Sequence, residues 1–191
     1  MPRLFVALEI GATAQRRVAD EQTRLAETMP GSSLRWVKPD HLHLTLVFIG
    51  EVPDERAAQA IAVMGAPLPH PPFRFELGGL GAFPSRGAPR ALWMAVTSGA
   101  EDVIQVQASV AARLDAVGVE RERRPFSPHL TLARWRDSRA SDRPRPDRGS
   151  LQTIASVEAR AVTLFQSRVS SAGSTYTRLV ECPLREARSS S

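Results

Sequence analysis

His43-Leu44-Thr45-Leu46 and His129-Leu130-Thr131-Leu132 are one tetrapeptide written twice, in a chain of 191 residues that has only four histidines. Polar and apolar residues alternate in both copies with the period of an extended strand. His43 and Thr45 therefore share one face, and so do His129 and Thr131, while Leu44, Leu46, Leu130 and Leu132 point the other way into a core. Around the first copy, His41 to Gly50 is rich in β-branched and aromatic residues and reads as a strand ended by Gly50. Around the second, Pro128 to Trp135 reads the same way.

Working outward, the two copies have matching surroundings. Leu4 to Ile10 is a buried strand, followed by a helix from about Thr13 to Met29 with Val18, Leu25 and Met29 on its apolar side and Pro30-Gly31 as its stop. In the second half, Ala91 to Thr97 is strand-like and Glu101 to Val117 is an amphipathic helix closed by Gly118. Leu4 and His43 are 39 residues apart, Leu92 and His129 are 37 apart, and the order strand, helix, His-bearing strand recurs. Such self-similarity implies an internal duplication. Between the halves lie a helix from Pro53 to Met64, a proline-rich connector from Pro67 to Pro72, and a short strand, Phe73 to Leu77, leading into Gly78-Gly79-Leu80-Gly81. After the second copy come a solvated, mobile loop from Arg136 to Gly149, a strand from Ser156 to Phe165, a last strand from Thr175 to Val180, and a disordered tail, 185–191.

Composition narrows the function classes. An apolar fraction of 42% and a charged fraction of 24% are those of a chain that folds alone, here as a single domain over residues 1–191 made of two similar lobes. The net charge of +5 comes almost wholly from arginine, Lys38 being the only lysine, and favours an anionic partner such as nucleic acid or phosphate. For any single surface copy, a compositional bias toward arginine is the favoured explanation. Cys182 is the only cysteine, so neither an internal disulfide nor a thiolate zinc cluster is available, and a reducing cytoplasm fits. The apolar stretch Leu4 to Ile10 is short and has no small-residue cleavage site after it, and no run reaches the ~18 residues of a membrane span, so neither signal peptide nor membrane anchor is expected; with no long heptad or obvious sticky strand, a monomer is the default.

Each half presents an imidazole beside a hydroxyl. Two such pairs facing each other across a pseudo-twofold cleft supply a proton donor, a proton acceptor and two hydroxyl donors for an anion between them. Phosphodiester hydrolysis needs those parts, and histidine suits both proton roles because its unperturbed pKa is ~6.5. No metal or cofactor is required. The rival reading makes His41 and His43 an i, i+2 metal pair with His129 as third ligand, although no cysteine or clear carboxylate completes the set. His70, outside the repeat, reads as a satisfied structural histidine.

The repeated tetrapeptide, with Arg3 to Leu8, Trp36 to Gly50, Gly78 to Pro84, Leu92-Trp93 and Arg124 to Arg134, resembles the 2H phosphoesterase superfamily. The likeness is to its RNA 2',3'-cyclic phosphodiesterase branch, also called 2'-5' RNA ligase, and it extends from Arg3 to about Leu184. The resemblance implies a bilobed α+β fold, with antiparallel sheets flanking a central cleft and helices on the outer faces. It also implies hydrolysis of RNA 2',3'-cyclic phosphate ends to a 2'-phosphate, with His43 as the proton donor and His129 as the proton acceptor. Thr45 and Thr131 would hold the phosphate oxygens, and Arg134 would be a further substrate contact if a bulge turns it to the histidine face. Two positions depart from the pattern: Val47 and Gln166 stand where basic residues are common. Trp36, Phe48 and Phe83 are candidates for stacking on bases. The alternatives are the reverse reaction, 2'-5' ligation, and a non-catalytic RNA or nucleotide binder.

Overall fold

A computed structural model describes residues 1–29, 33–120, 124–144, 152–170 and 173–186. Strand β1 (Arg3–Glu9) is buried over Leu4 to Leu8, a run without alternation that suits a strand covered on both faces. It lies inside a five-stranded sheet with β3 (His43–Glu51), β9 (Ala161–Ser170), β10 (Gly173–Arg185) and the short β4 (Leu68–Pro69), in the order β3-β1-β9-β10-β4. A second five-stranded sheet has the order β2-β7-β6-β5-β8, from β2 (Leu34–Trp36), β7 (His129–Trp135), β6 (Ala91–Ser98), β5 (Phe73–Phe83) and β8 (Thr153–Ala159). The pairings are antiparallel except for β10 with β4. The α+β, two-sheet architecture implied by the sequence is the one observed.

The helices cross between the halves. Helix α1 (Gly11–Thr28) follows β1 of the first sheet, yet it packs against β8 of the second through a face formed by Ala14, Val18, Gln22 and Leu25. Helix α3 (Ala100–Asp115) follows β6 of the second sheet and packs against β3 and β4 of the first, burying Val103, Val106, Val110 and Leu114. Helix α2 (Asp54–Met64) lies against α3 and β10, with Asp54 and Glu55 in its first turn. One continuous hydrophobic core joins residues of both sheets and all three helices.

Several expected boundaries are corrected. The strand expected to begin at His41 begins at His43, because Pro39–His41 form a single 3-10 turn; Pro39 fixes the φ that starts it. The glycine-rich segment does not end a strand: β5 runs through Gly78 to Gly81 to Phe83, with register shifts beside Gly78. The single strand expected from Ser156 to Phe165 is two, β8 and β9, which belong to different sheets and meet at Arg160. Strands β2 and β4 are too short to show periodicity and were not expected. In the expected mobile loop, Ala140–Asp142 form a 3-10 turn. Arg143 then donates to the carbonyls of Ala82, Pro84 and Gly87. Arg185, expected in the disordered tail, is the last residue of β10, which pairs with β4 there; the rest of the loop, 145–149, the stop at Pro30-Gly31 and tail residues 187–191 lie outside the described residues.

Candidate active site

The two His-bearing strands are equivalent rung by rung. In the first sheet Glu9 pairs with His43, Leu8 with Leu44 and Ala7 with Thr45; then Val6 pairs with Val47 and Phe5 with Phe48, leaving Leu46 as an extra residue. In the second, Ala95 pairs with His129, Met94 with Leu130 and Trp93 with Thr131; then Leu92 pairs with Ala133 and Ala91 with Arg134, leaving Leu132 extra. The fourth residue of each tetrapeptide is thus a β-bulge. A bulge shifts the alternation by one, so Phe48 and Arg134 come round to the face of the histidines and threonines. The burial pattern agrees, since Leu132 and Ala133 are buried in succession and Arg134 is exposed. Arg134 therefore meets the condition the sequence set for it.

Leu44, Leu46, Leu130 and Leu132 are all buried, while His43, Thr45, His129 and Thr131 are half-buried on the opposite side. Strand β3 is the edge of its sheet, and it packs against β7 of the other sheet, so the two half-sites meet along the histidine strands. The carbonyl of the bulged Leu132 accepts hydrogen bonds from the Val37 N–H and from Gln22 Nε2, both at 2.9 Å. Gln22, buried on α1, also donates to the Val37 carbonyl at 2.9 Å. A helix of the first half thereby props the bulge of the second.

Both imidazoles are held the same way. Nδ1 of His43 is 2.7 Å from the His41 carbonyl, and Nδ1 of His129 is 2.8 Å from the Ser127 carbonyl, in each case two residues back. A carbonyl oxygen only accepts, so Nδ1 carries a hydrogen in both rings and Nε2 is the nitrogen left for chemistry. Aromatic rings pack around each. His43 lies over Phe5 at 4.8 Å, with the Tyr176 edge at 5.4 Å and Phe165 at 6.3 Å. His129 meets Phe83 edge-on at 5.0 Å and Trp93 at 6.1 Å. Trp93 can lie there because Gly81 faces it across the β5–β6 ladder, where a Cβ would come within 2.1 Å of the indole.

Burial lowers the pKa of both histidines below the usual value. For His43 the next influences are the hydrogen bond to the His41 carbonyl, which opposes the shift, the neighbouring His41, which adds to it, and Glu9, which opposes it. For His129 the Ser127 carbonyl opposes the shift and Arg134 adds to it. Glu9, Thr163, Tyr176 and Arg178 complete the first half-site, and sequence reasoning missed all four. Arg178 donates to Glu9 Oε1 through Nε at 2.9 Å and Nη2 at 2.6 Å, and Thr163 Oγ1 reaches Oε2 at 3.2 Å. Glu9 is more than a hundred positions from the other three, so only the pairing β3-β1-β9-β10 unites them.

Of the remaining candidates, His41 rests on Tyr176 with ring centroids 4.6 Å apart and lies on a turn, not on the strand shared with His43. Among the described residues, no three His, Cys, Asp or Glu side chains are grouped to hold a metal. His70 is buried, with Nδ1 2.8 Å from the Pro71 carbonyl. Phe83 belongs to the wall beside His129, Trp36 packs against the core, and Phe48 is 57% exposed with the Arg3 guanidinium 5.0 Å from its ring.

Residues 15–168, a span that includes both tetrapeptides, match the sequence profile of the 2'-5' RNA ligase superfamily. The chain belongs to that superfamily. A relative within it, the RNA 2',3'-cyclic phosphodiesterase of Aeropyrum pernix, is 34% identical over 86% of this chain and 93% of its own length. The crystal structure of TT0787 of Thermus thermophilus superposes with a TM-score of 0.78 at 29% identity, covering 96% of this chain and 98% of that one. Escherichia coli LigT complexed with 3'-AMP does so with a TM-score of 0.77 at 26% identity, covering 97% and 100%. The 2'-5' RNA ligase fold thus spans nearly the whole chain, and among the described residues no helix is long and apolar enough to cross a membrane.

Proposed function

We propose that this chain hydrolyses RNA 2',3'-cyclic phosphate ends to 2'-phosphomonoesters by a two-histidine acid/base mechanism that needs no metal ion. The observation that carries it is the shared register of the two half-sites, which gives each an Nε2 with Nδ1 already anchored and a hydroxyl on the same face. Displacement at phosphorus places the attacking and leaving oxygens on opposite sides of the phosphorus. Two imidazoles on two abutting sheets serve those two positions. His129 Nε2 takes the proton of the attacking water as the new P–O bond forms. His43 Nε2–H protonates the 3'-oxygen as its bond to phosphorus breaks, and the two rings exchange a proton with solvent to reset. Thr45 and Thr131 donate to the non-bridging oxygens, whose charge builds in the transition state, and Arg134 adds a guanidinium there. The superfamily relatives named RNA 2',3'-cyclic phosphodiesterase and the 3'-AMP complex of LigT support this substrate class.

The test uses a defined oligonucleotide ending in a 2',3'-cyclic phosphate. A 2'-phosphate, 3'-hydroxyl product is expected, with the rate unchanged by a chelator. A 3'-phosphate product would contradict the role of His43. Joining to an added 5'-hydroxyl RNA in preference to hydrolysis would assign the ligase direction, and binding without turnover a non-catalytic module. We further assign the chain to the cytoplasm as a single-domain monomer, a reading favoured by its one buried thiol and by a main core that joins both sheets.

A further inference from the structure

The two half-sites match in backbone but not in charge. At the rung opposite His43 stands Glu9; at the same rung opposite His129 stands Ala95. Past the bulge, the position of Arg134 in the second half-site is held by Phe48 in the first. A carboxylate thus faces one imidazole and a guanidinium lies beside the other. We propose that Glu9 and Arg134 break the pseudo-twofold symmetry of the site, Glu9 acting as a positioning residue that keeps the working proton on His43 while Arg134 keeps His129 free of it. The inference rests on the acid/base reaction above and adds what tells the two histidines apart.

In a site symmetric in charge as well as in backbone, one proton shared by two imidazoles would reside on either ring equally. Half of the complexes would then hold acid and base reversed with respect to the leaving 3'-oxygen. A carboxylate favours the charged form of a neighbouring imidazole and a guanidinium disfavours it, so both substitutions act in the same direction. Burial lowers the pKa of both rings and His41 lowers that of His43 further; against these Glu9 raises it, while Arg134 adds to the lowering at His129.

Among the described residues, the other titratable or charged groups around His43 are His41 from the 3-10 turn and Tyr176 and Arg178 from β10; β9 contributes Phe165 and Thr163. Arg178 fixes the Glu9 carboxylate but is itself 70% exposed against 33% for Glu9, so its charge is the more strongly screened of the two. Around His129, β6 offers Ala95 and Trp93 and β5 offers Phe83, all uncharged. Arg35 of β2 pairs with Arg134 and adds a second cation to that half.

The experiment is the pH dependence of kcat/KM for cyclic-phosphate hydrolysis in the wild type, Glu9→Gln and Ala95→Glu. The alkaline limb reports loss of the proton from the acid, the acidic limb gain of one by the base. In Glu9→Gln the alkaline limb is expected to move down by roughly 0.5–1 pH unit with the acidic limb in place, and Glu9→Asp to restore it. In Ala95→Glu, which puts a carboxylate opposite His129, the acidic limb is expected to move up by a similar amount. A variant that merely weakens the fold lowers the whole profile and shifts neither limb. Arg134→Gln, which removes the cation beside His129, is expected to move the acidic limb up as well, apart from any loss of rate. Bells whose limbs stay in place in Glu9→Gln and Arg134→Gln would overturn the roles of Glu9 and Arg134 and leave the reaction standing. Full activity of His43→Ala would overturn the reaction itself.

Discussion

An imidazole whose Nδ1–H is spent on a backbone carbonyl can do only one thing at a time with Nε2, and protonation decides which. Both histidines are held below their ordinary pKa by burial, so the free site is short of protons at neutral pH. An anionic phosphodiester between the rings raises their affinity for a proton. The optimum of kcat, which reports the complex, is therefore expected at higher pH than that of kcat/KM, which reports the free enzyme; coincident optima would contradict this. Thr45→Val and Thr131→Val keep volume and remove a hydroxyl, and each is expected to lower kcat by roughly 10²-fold, with partial rescue by serine. The His-Leu-Thr-Leu residues were legible in the sequence because a strand's two-residue period says which side chains share a face. Glu9 and Arg178 were not, because a cross-strand partner is set by long-range pairing that leaves no local trace.

Elements hold the site through their irregularities as much as through their regular parts. The twin bulges at Leu46 and Leu132 are what bring Phe48 and Arg134 round to the face of the histidines, and Gln22 of α1 closes the second one. Gln22→Leu takes the Gln22 donor from the part-buried Val37 carbonyl, while the Leu132 carbonyl keeps the Val37 N–H. A loss of roughly 1–3 kcal/mol for the one unpaired group is expected from the shift in denaturant midpoint. Gly81→Ala drives a methyl group into Trp93, which packs beside His129. Strand and helix types followed from periodicity and capping residues, whereas β5 running through its glycines and the division of β8 from β9 depended on which sheet each residue joins.

On the scale of the whole molecule, duplication was readable from spacing alone, since strand, helix and His-bearing strand recur at nearly one interval. The exchange of helices, α1 onto the second sheet and α3 onto the first, was not, because an amphipathic face does not say which sheet it covers. That exchange joins the halves through one core and holds β3 against β7, the arrangement on which acid and base acting together depends. The most direct test is the residual activity of His43→Ala and His129→Ala as a function of pH on a cyclic-phosphate RNA, each variant being slower than wild type by about 10²–10⁴-fold. His129→Ala is expected to lose the acidic limb of the bell and keep the alkaline one, and His43→Ala to lose the alkaline limb and keep the acidic one. A full bell in either variant, or loss of the same limb in both, would contradict the account.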